Sequence, residues 1–359
     1  MKLEDNRKIN KYKRKSFLSK SVGKKISKLD NEKILYDHLY PKFGQRFIDY
    51  RKKYENYLNG NNHKKLNSFP VSLTLELVNR CNLECVMCFQ GHRNDAKKST
   101  LDLNVLKKLF TEFKKEKLDA LLLSASEILL YKSYPDILKM AKDAEIMDQF
   151  LFTNGTLLNK KNSEIILNSG LTRLMVSIDA ATTETYDKVR IPVNKKIINT
   201  NRLKKLEQNV KNFINLRNSL GKKIPLVRVS FVAIDTNHHE IKNFIKKWEN
   251  IVDSVEIQKE SSMNFFNDLE KSLKEIQEKK LKQYNCNQPW GQITIHSDGT
   301  IGPCCNTNTS KNLPIGNVYD NSVKEIWDGL KMNKIRSEFN NNTPNKVCQL
   351  CLENEKINY

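Results

Sequence analysis

The sequence predicts an α/β protein: a partial (β/α)6, TIM-like barrel with a helical N-terminal extension and a small C-terminal domain. Three observations carry this. Six short apolar runs, Val71–Val78, Ala120–Ser124, Phe150–Thr153, Leu174–Ile178, Val227–Ala233 and Ser254–Ile257, alternate with stretches of helical spacing such as Leu103–Phe113, Tyr134–Ala144, Asn201–Arg217 and His239–Trp248. Parallel strands each need a crossover to return the chain, so this alternation implies a parallel sheet, and a partial barrel closes it with chemistry on loops at the strands' carboxyl ends. The texture then changes on either side of this block, and the eight cysteines fall at 81, 85 and 88, then 286, 304 and 305, then 348 and 351.

Taken in order, residues 1–70 form a basic, mainly helical extension. They hold 19 Lys and Arg against 7 Asp and Glu, over half of the chain's net charge of +21. Residues 1–30 show no apolar period and read as a flexible or loosely helical arm. From Phe43 a helix is expected to place Phe47, Tyr50, Tyr54 and Leu58 on one docking face, and Gly60–Ser68 is a polar linker. Nucleic acid is disfavoured as a partner because no aromatic-interleaved basic motif accompanies the charge. No apolar run has the length of a membrane span and the N-terminus lacks a signal-peptide core, so no membrane is expected and the location is cytoplasmic.

Residues 71–282 form the barrel. Its first strand runs into Asn79-Arg80-Cys81-Asn82-Leu83-Glu84-Cys85-Val86-Met87-Cys88, crowding three thiols into one loop. Clustered cysteines in a cytosolic chain suit metal ligation better than disulfides. Three thiolates can hold three irons of a 4Fe-4S cluster and leave the fourth open, which is what chemistry at a metal site requires. A zinc site using these thiols is the plainer alternative.

This Cys-x3-Cys-x2-Cys loop after a first barrel strand resembles that of the radical S-adenosylmethionine (radical SAM) superfamily, and the resemblance covers approximately residues 71–258. It implies that Cys81, Cys85 and Cys88 hold a 4Fe-4S cluster whose open iron chelates S-adenosyl-L-methionine, giving a 5′-deoxyadenosyl radical. Cofactor contacts are implied residue by residue. Met87 stands where many members place an aromatic residue beside the adenine. The family's Gly-Gly-Glu-Pro, near the methionine amino group, corresponds to Ala125-Ser126-Glu127-Ile128, keeping the Glu and substituting the smallest side chains for the glycines. Thr153-Asn154-Gly155 is similar to the family's Thr-Asn-Gly turn. Ser177-Ile178-Asp179 resembles the segment whose hydroxyl and carboxylate contact the ribose, and Arg190 is placed to reach the methionine carboxylate.

Residues 283–359 begin with Cys286, then a short alternating segment Gln292–His296, an Asp298-Gly299 turn, a second short strand, and a helix near Ser322–Leu330. So short a tail needs a staple, which its cysteines can supply. Four thiols from three segments can enclose a cluster, with structural zinc as the alternative. The tail resembles the SPASM/twitch extensions of radical SAM enzymes, sharing Gly316-Asn317-Val318 and Glu325-Ile326-Trp327. The resemblance implies one auxiliary 4Fe-4S cluster on Cys286, Cys304, Cys348 and Cys351. Cys305 is left over, as an alternative ligand or, the favoured reading because free Cys is often simply buried, an inert buried thiol.

The expected function is hydrogen-atom abstraction from a polar small molecule, such as a sugar or aminocyclitol, with an external electron donor such as flavodoxin or ferredoxin. Inward-facing Arg228, Ser230 and Gln258 are expected to line the pocket. The alternatives are a peptide-modifying maturase, against which the absence of strand alternation in residues 1–70 weighs, and a non-catalytic iron–sulfur protein. No general base or other catalytic side chain is identifiable.

Overall fold

The computed structural model describes residues 25–26, 31–59, 66–88, 99–124, 126–198, 201–259 and 283–357. Residues 1–24 and 27–30 of the expected arm, residues 60–65 of the linker, and Ala125 lie outside them. Six parallel strands form the barrel: β2 (Ser72–Leu75), β3 (Ala120–Leu123), β4 (Asp148–Thr153), β5 (Arg173–Ser177), β6 (Leu226–Ala233) and β7 (Ser254–Lys259). They match the six expected segments to within a few residues, the first one shortened because Glu76–Val78 leave the ladder for the cysteine loop. Helices α3 (Leu103–Lys115), α4 (Tyr134–Asp143), α5 (Lys160–Asn168), α6 (Thr183–Val189), α7 (Arg202–Ser219) and α8 (Ile241–Trp248) provide the crossovers. Local chemistry sets their starts: Asp102 Oδ1 accepts from Asn104 N at 2.7 Å to open α3, and Asn159 caps α5 in the same way at Asn162 N.

The strand period of two divides each strand between two environments. Leu73, Leu75, Leu121, Leu123, Leu151, Leu174, Val176, Val227, Val229, Phe231 and Val255 are buried in the main core under the crossover helices. The opposite, concave face carries Ser72, Thr74, Asp148, Arg173, Ser177, Arg228, Ser230, Glu256 and Gln258 among a few apolar residues. Its charged side chains meet one another, Asp148 with Arg173 and Arg228 with Glu256, as buried charges require.

The N-terminal extension closes the amino-terminal end of that concavity. It comprises α1 (Asn31–Phe43) and α2 (Gln45–Asn59), which turn at Gly44 with φ +52°. Leu35, Leu39, Phe47, Tyr50, Tyr54 and Tyr57 pack against Ala120, Leu122, Phe150, Met175 and Leu226 from the concave face. Tyr57 joins the expected stripe, the Leu58 side chain lies outside the described residues, and α1 is an element that the aromatic spacing did not reveal. Within the expected arm, Lys25–Ile26 form a short strand, β1, antiparallel to β7, a correction to the helical reading. Pairing with the open edge of β7 decides this, which no local pattern encodes.

The C-terminal segment extends the same sheet. Strand β8 (Gln292–Ile295) pairs in parallel with β2, then β9 (Thr300–Gly302) and β10 (Gly316–Asn317) follow antiparallel, giving the order β1-β7-β6-β5-β4-β3-β2-β8-β9-β10. Short α9 (Thr307–Asn312) packs on β9. The helix expected near Ser322–Leu330 is two: α10 (Val323–Asp328), opened by a reciprocal Ser322/Glu325 capping box, and α11 (Leu330–Asn340), separated by Gly329 in extended conformation. Helix α12 (Lys346–Ile357) completes the described chain. Trp327, Ile326 and Phe339 belong to the main core, so the tail packs as part of it. No described helix is long and apolar enough to cross a membrane.

Candidate functional site

The first cysteine loop follows β2 at the carboxyl ends of the strands and is held from two sides. Glu84 N donates to Ile191 O at 2.7 Å, Val86 N to Val189 O at 3.1 Å, and Val193 N to Asn82 O at 3.1 Å, while Arg80 O accepts from Glu127 N at 3.0 Å. Cys85 is buried; Cys81, Met87 and Cys88 are half-buried. Burial pushes the Cys81 thiol up to about 12, with Glu127, Cys85 and Cys88 adding to the shift, and burial raises Cys85 too. Thiols so raised, Cys81 and Cys85, hold their protons until a metal displaces them and neutralises the sulfurs, which is how thiolate sites couple to metal binding. Among the described residues, no group of three or more His, Cys, Asp or Glu side chains is gathered round a single-ion position. Cluster thiolates, by contrast, each ligate a different iron.

Arg190, just past α6, joins this loop to β5. Its guanidinium forms an ion pair with Asp179 and its Nη1 donates to Cys85 Sγ at 3.4 Å. Asp179 is fully buried at φ +62°, where its Oδ1 accepts from Val232 N at 2.7 Å and Asn237 Nδ2 donates to its carbonyl at 2.9 Å. Burial raises the Asp179 carboxyl, opposed by the Arg190 charge and the Val232 N–H. A positive charge here offsets the negative charge of thiolates and suits a carboxylate ligand equally.

Glu127 is fully buried, and its carboxylate is occupied by the protein. Oε1 accepts from Thr153 Oγ1 at 2.8 Å and Leu129 N at 3.2 Å, and Oε2 accepts from Asn154 N at 2.7 Å. Its visible work is to lock the end of β3 to the turn after β4. Burial raises this carboxyl, opposed by those three donors. Ser126 beside it sits at φ +57°, the left-handed region that a glycine would occupy without strain. At the linked turn, Asn154 Nδ2 donates to Asn82 Oδ1 at 2.8 Å and lies 3.7 Å from Cys81 Sγ, so Asn154 meets the cysteine loop directly. Gly155 adopts φ +71°, and a Cβ there would stand 2.4 Å from Leu206 and 2.8 Å from Val176. The Thr-Asn-Gly turn is thus fixed by both conformation and space.

Ser177 accepts from Ser230 Oγ at 3.3 Å, and strand register puts Ser177, Ser230 and Glu256 in one row across β5, β6 and β7. Arg228 Nη1 donates to Glu256 Oε2 at 2.8 Å, and Gln258 Nε2 to the same oxygen at 2.9 Å. The expected pocket residues therefore share one face. Glu256 was missed, although a lone acid in the alternation Val255-Glu256-Ile257-Gln258 is the signal for an inward charge.

At the other end of the sheet, Cys286, Cys304, Cys348 and Cys351 are drawn together. Burial drives the Cys286 and Cys304 thiols far up, with the neighbouring cysteines adding, and pushes Cys348 up to about 12. Asn345 Nδ2 donates to Cys348 Sγ at 3.4 Å, Asn306 Nδ2 to Cys351 Sγ at 3.6 Å, and Thr294 Oγ1 to Cys304 O at 2.7 Å. Cys305, expected as a buried thiol, is exposed next to Cys304, because the chain leaves β9 there and successive side chains point apart. A link that sequence reasoning missed joins the two parts: buried His296 pairs through Nδ1 with Glu76 at 3.1 Å and through Nε2 with Ser310 Oγ at 2.7 Å.

Comparison with known proteins agrees with this geometry. The family model of the radical SAM superfamily matches residues 75–246, and that of the SPASM iron–sulfur cluster-binding domain matches residues 286–352. A probable GTP 3′,8-cyclase of Methanocaldococcus jannaschii is 35% identical over 121 residues, 33% of this chain and 39% of that protein. An AdoMet-dependent heme synthase of Methanosarcina barkeri is 33% identical over 121 residues, 34% of each. The match thus spans about two fifths or less of these relatives. Among solved structures, BtrN in complex with AdoMet and 2-DOIA superposes with a TM-score of 0.50 at 14% identity, covering 79% of this chain and 92% of BtrN. Streptococcus suis SuiB bound to S-adenosylmethionine gives 0.51 at 16% identity, covering 80% and 72%. These last two likenesses establish the fold. With a radical SAM core, which implies a SAM-binding 4Fe-4S cluster, followed by an auxiliary-cluster domain, the chain belongs to the radical SAM superfamily and carries a SPASM domain.

Proposed function

We propose that this protein reductively cleaves S-adenosyl-L-methionine and abstracts a hydrogen atom from a polar small molecule held in the concave face of the barrel. The observation that carries the reading is the meeting of the three-thiol loop with Arg190 and Asn154 at the mouth of a polar concavity. Cys81, Cys85 and Cys88 would hold the cluster, which when bound supplies the electron for cleavage. The protein's own groups would position the cosubstrate. Met87 offers a polarisable surface for the adenine. Ser177 and Asp179 suit the ribose diol and Arg190 the methionine carboxylate. Asn154 and Glu127 sit beside them, Glu127 acting on the backbone it pins. In this reading residues 71–282 perform the chemistry, 283–359 hold an auxiliary 4Fe-4S cluster through Cys286, Cys304, Cys348 and Cys351, and helices α1 and α2 of the 1–70 extension floor the barrel. An external donor such as a flavodoxin or ferredoxin supplies the electron.

Anaerobic reconstitution tests the reading. Loaded protein should hold about eight irons, and the triple Cys81→Ala, Cys85→Ala, Cys88→Ala variant about four, by thiolate ligation of each cluster. Under reducing conditions the wild type should release 5′-deoxyadenosine; intact clusters with no cleavage would refute the proposal. A second reading, a peptide-modifying maturase, draws on the SPASM match. Against it stands the use of α1 and α2 as a packed floor, with their apolar faces buried against the strands.

A further inference from the structure

The N-terminal extension contains no cysteine, yet one of its side chains reaches the second group of them. Tyr57, near the end of α2, is 7% exposed, and its hydroxyl donates to Gln288 Oε1 at 2.5 Å, with Gln292 Oε1 3.4 Å away. Gln288 follows Cys286 closely in the chain and opens the short turn Gln288–Trp290, and its N–H donates to the Cys286 sulfur. Gln292 begins β8, and the β8–β9 register, with Thr294 opposite Gly302, runs on toward Gln292 and Cys304. The Tyr57 hydroxyl is therefore held by the chain beside two of the four cysteines. Its ring lies on Gly291, where a Cβ would stand 2.3 Å from Tyr57 Cδ2. Gly291 is itself fixed, since its carbonyl accepts from Val71 N at 2.9 Å and Ser72 N at 3.1 Å. Burial drives the Tyr57 phenol far up, and Cys305, Cys286 and Cys304 add to the shift, in keeping with a ring beside those thiols.

We infer that Tyr57 is a positioning residue of the auxiliary-cluster site: its ring is the wall that keeps water from the side of Cys286 and Cys304, and its bond to Gln288 holds that wall in place. The inference takes the auxiliary cluster and its four cysteines from the proposed function. Solvent access around a cluster sets both its lability and its potential. Reduction adds a negative charge to a thiolate-ligated cluster, and water stabilises the more highly charged state, so a dry wall holds the potential down. A plain floor under the barrel would need only an apolar side chain at position 57. It would need neither a hydroxyl bonded to the cysteine-bearing turn nor a glycine opposite to admit the ring. Phe47 supplies the comparison: it is 4% exposed on the same docking face but separated from Tyr57 by the rings of Tyr50 and Tyr54.

The test uses the full chain carrying Cys81→Ala, Cys85→Ala and Cys88→Ala, in which about four irons report the auxiliary cluster alone. Iron release to a chelator and a reductive titration followed by electron paramagnetic resonance are read on this parent and with Tyr57→Ala, Tyr57→Phe, Gly291→Ala or Phe47→Ala added. Tyr57→Ala should release iron about tenfold faster, as expected for loss of an outer-shell partner. It should also raise the potential by about 59 mV, the one-electron equivalent of a tenfold shift in the reduction equilibrium. Tyr57→Phe keeps the ring and should restore most of both. Gly291→Ala should reproduce Tyr57→Ala by displacing the ring and add nothing in its presence, because the two residues share one contact. Phe47→Ala loosens the same helices and should leave the potential unmoved. If Tyr57→Ala and Gly291→Ala lose the cluster outright, the inference stands only where Phe47→Ala retains it. It is overturned if neither Tyr57→Ala nor Gly291→Ala changes iron release and potential, or if Phe47→Ala changes them as far. A parent that holds about four irons and is indifferent to Tyr57 overturns this inference and leaves the proposed function standing, whereas a parent without iron refutes the cysteine assignment and the inference together.

Discussion

At the scale of single residues, the site is organised by buried charges that the protein itself partners. Arg190 bridges Asp179 and Cys85, so its removal strands a fully buried carboxylate. Arg190→Met should cost about 3–5 kcal/mol, the usual penalty for breaking a buried pair from one side. Chemical denaturation of the apoprotein measures it, and Arg190→Lys should recover part of the loss. Glu127 faces three donors from two elements. Glu127→Gln offers one oxygen where two accepted and sets an NH2 against a donor, so it should lose about 1–3 kcal/mol. The same change should loosen the Thr153-Asn154 turn, read as faster amide exchange at Asn154. Glu127 was legible as an important position from the order of motifs alone. Its saturation by backbone and Thr153 donors was not, because that depends on β3 and β4 lying side by side.

At the scale of elements, turns and docking faces carry the specificity. Gly155 is required twice over, by φ +71° and by Leu206 2.4 Å from where a Cβ would sit. Gly155→Ala should therefore destabilise by at least about 2 kcal/mol, from left-handed strain and overpacking together, measurable as a lowered denaturation midpoint. Helix α2 docks its tyrosines under the barrel, where Tyr50 OH donates to Asp148 at 3.1 Å. Burial alone would raise the Asp148 carboxyl, but Arg173 and the surrounding hydrogen bonds outweigh it and hold the group below its ordinary value. The native state thus binds the proton more weakly than the unfolded chain. This stabilisation is present above the unfolded value of about 3.9 and is lost as pH falls from there through the depressed native value. Asp148→Asn should remove that part of the acid dependence and lower stability by about 3–5 kcal/mol near neutral pH, as checked by denaturation at a series of pH values.

At the scale of the whole molecule, the barrel sheet and the auxiliary domain are one structure. The parallel pairing of β8 with β2, the Glu76–His296 contact and the burial of Trp327 in the main core all cross the expected boundary near residue 282. A chain ending at residue 282 should expose the edge of β2 and aggregate, whereas Cys348→Ser with Cys351→Ser should lose about four irons, by the same thiolate count, while keeping β8 docked. Light scattering, iron analysis and hydrogen exchange across residues 72–75 and 292–295 distinguish the two.

The sequence by itself determined the strand–helix alternation, the six barrel strands, the three-cysteine loop and the family, because each is written in local spacing: period two, period 3.6, or thiols a fixed few residues apart. Only the tertiary structure decided that Lys25–Ile26 joins the edge of β7, that Cys305 faces outward, that Glu127 is consumed by the protein and that Arg228 and Glu256 are left half-satisfied. The physical reason is common to all four. Each depends on which hydrogen-bonding groups distant parts of the chain bring to the same place, and a donor's partner cannot be read from its neighbours in sequence.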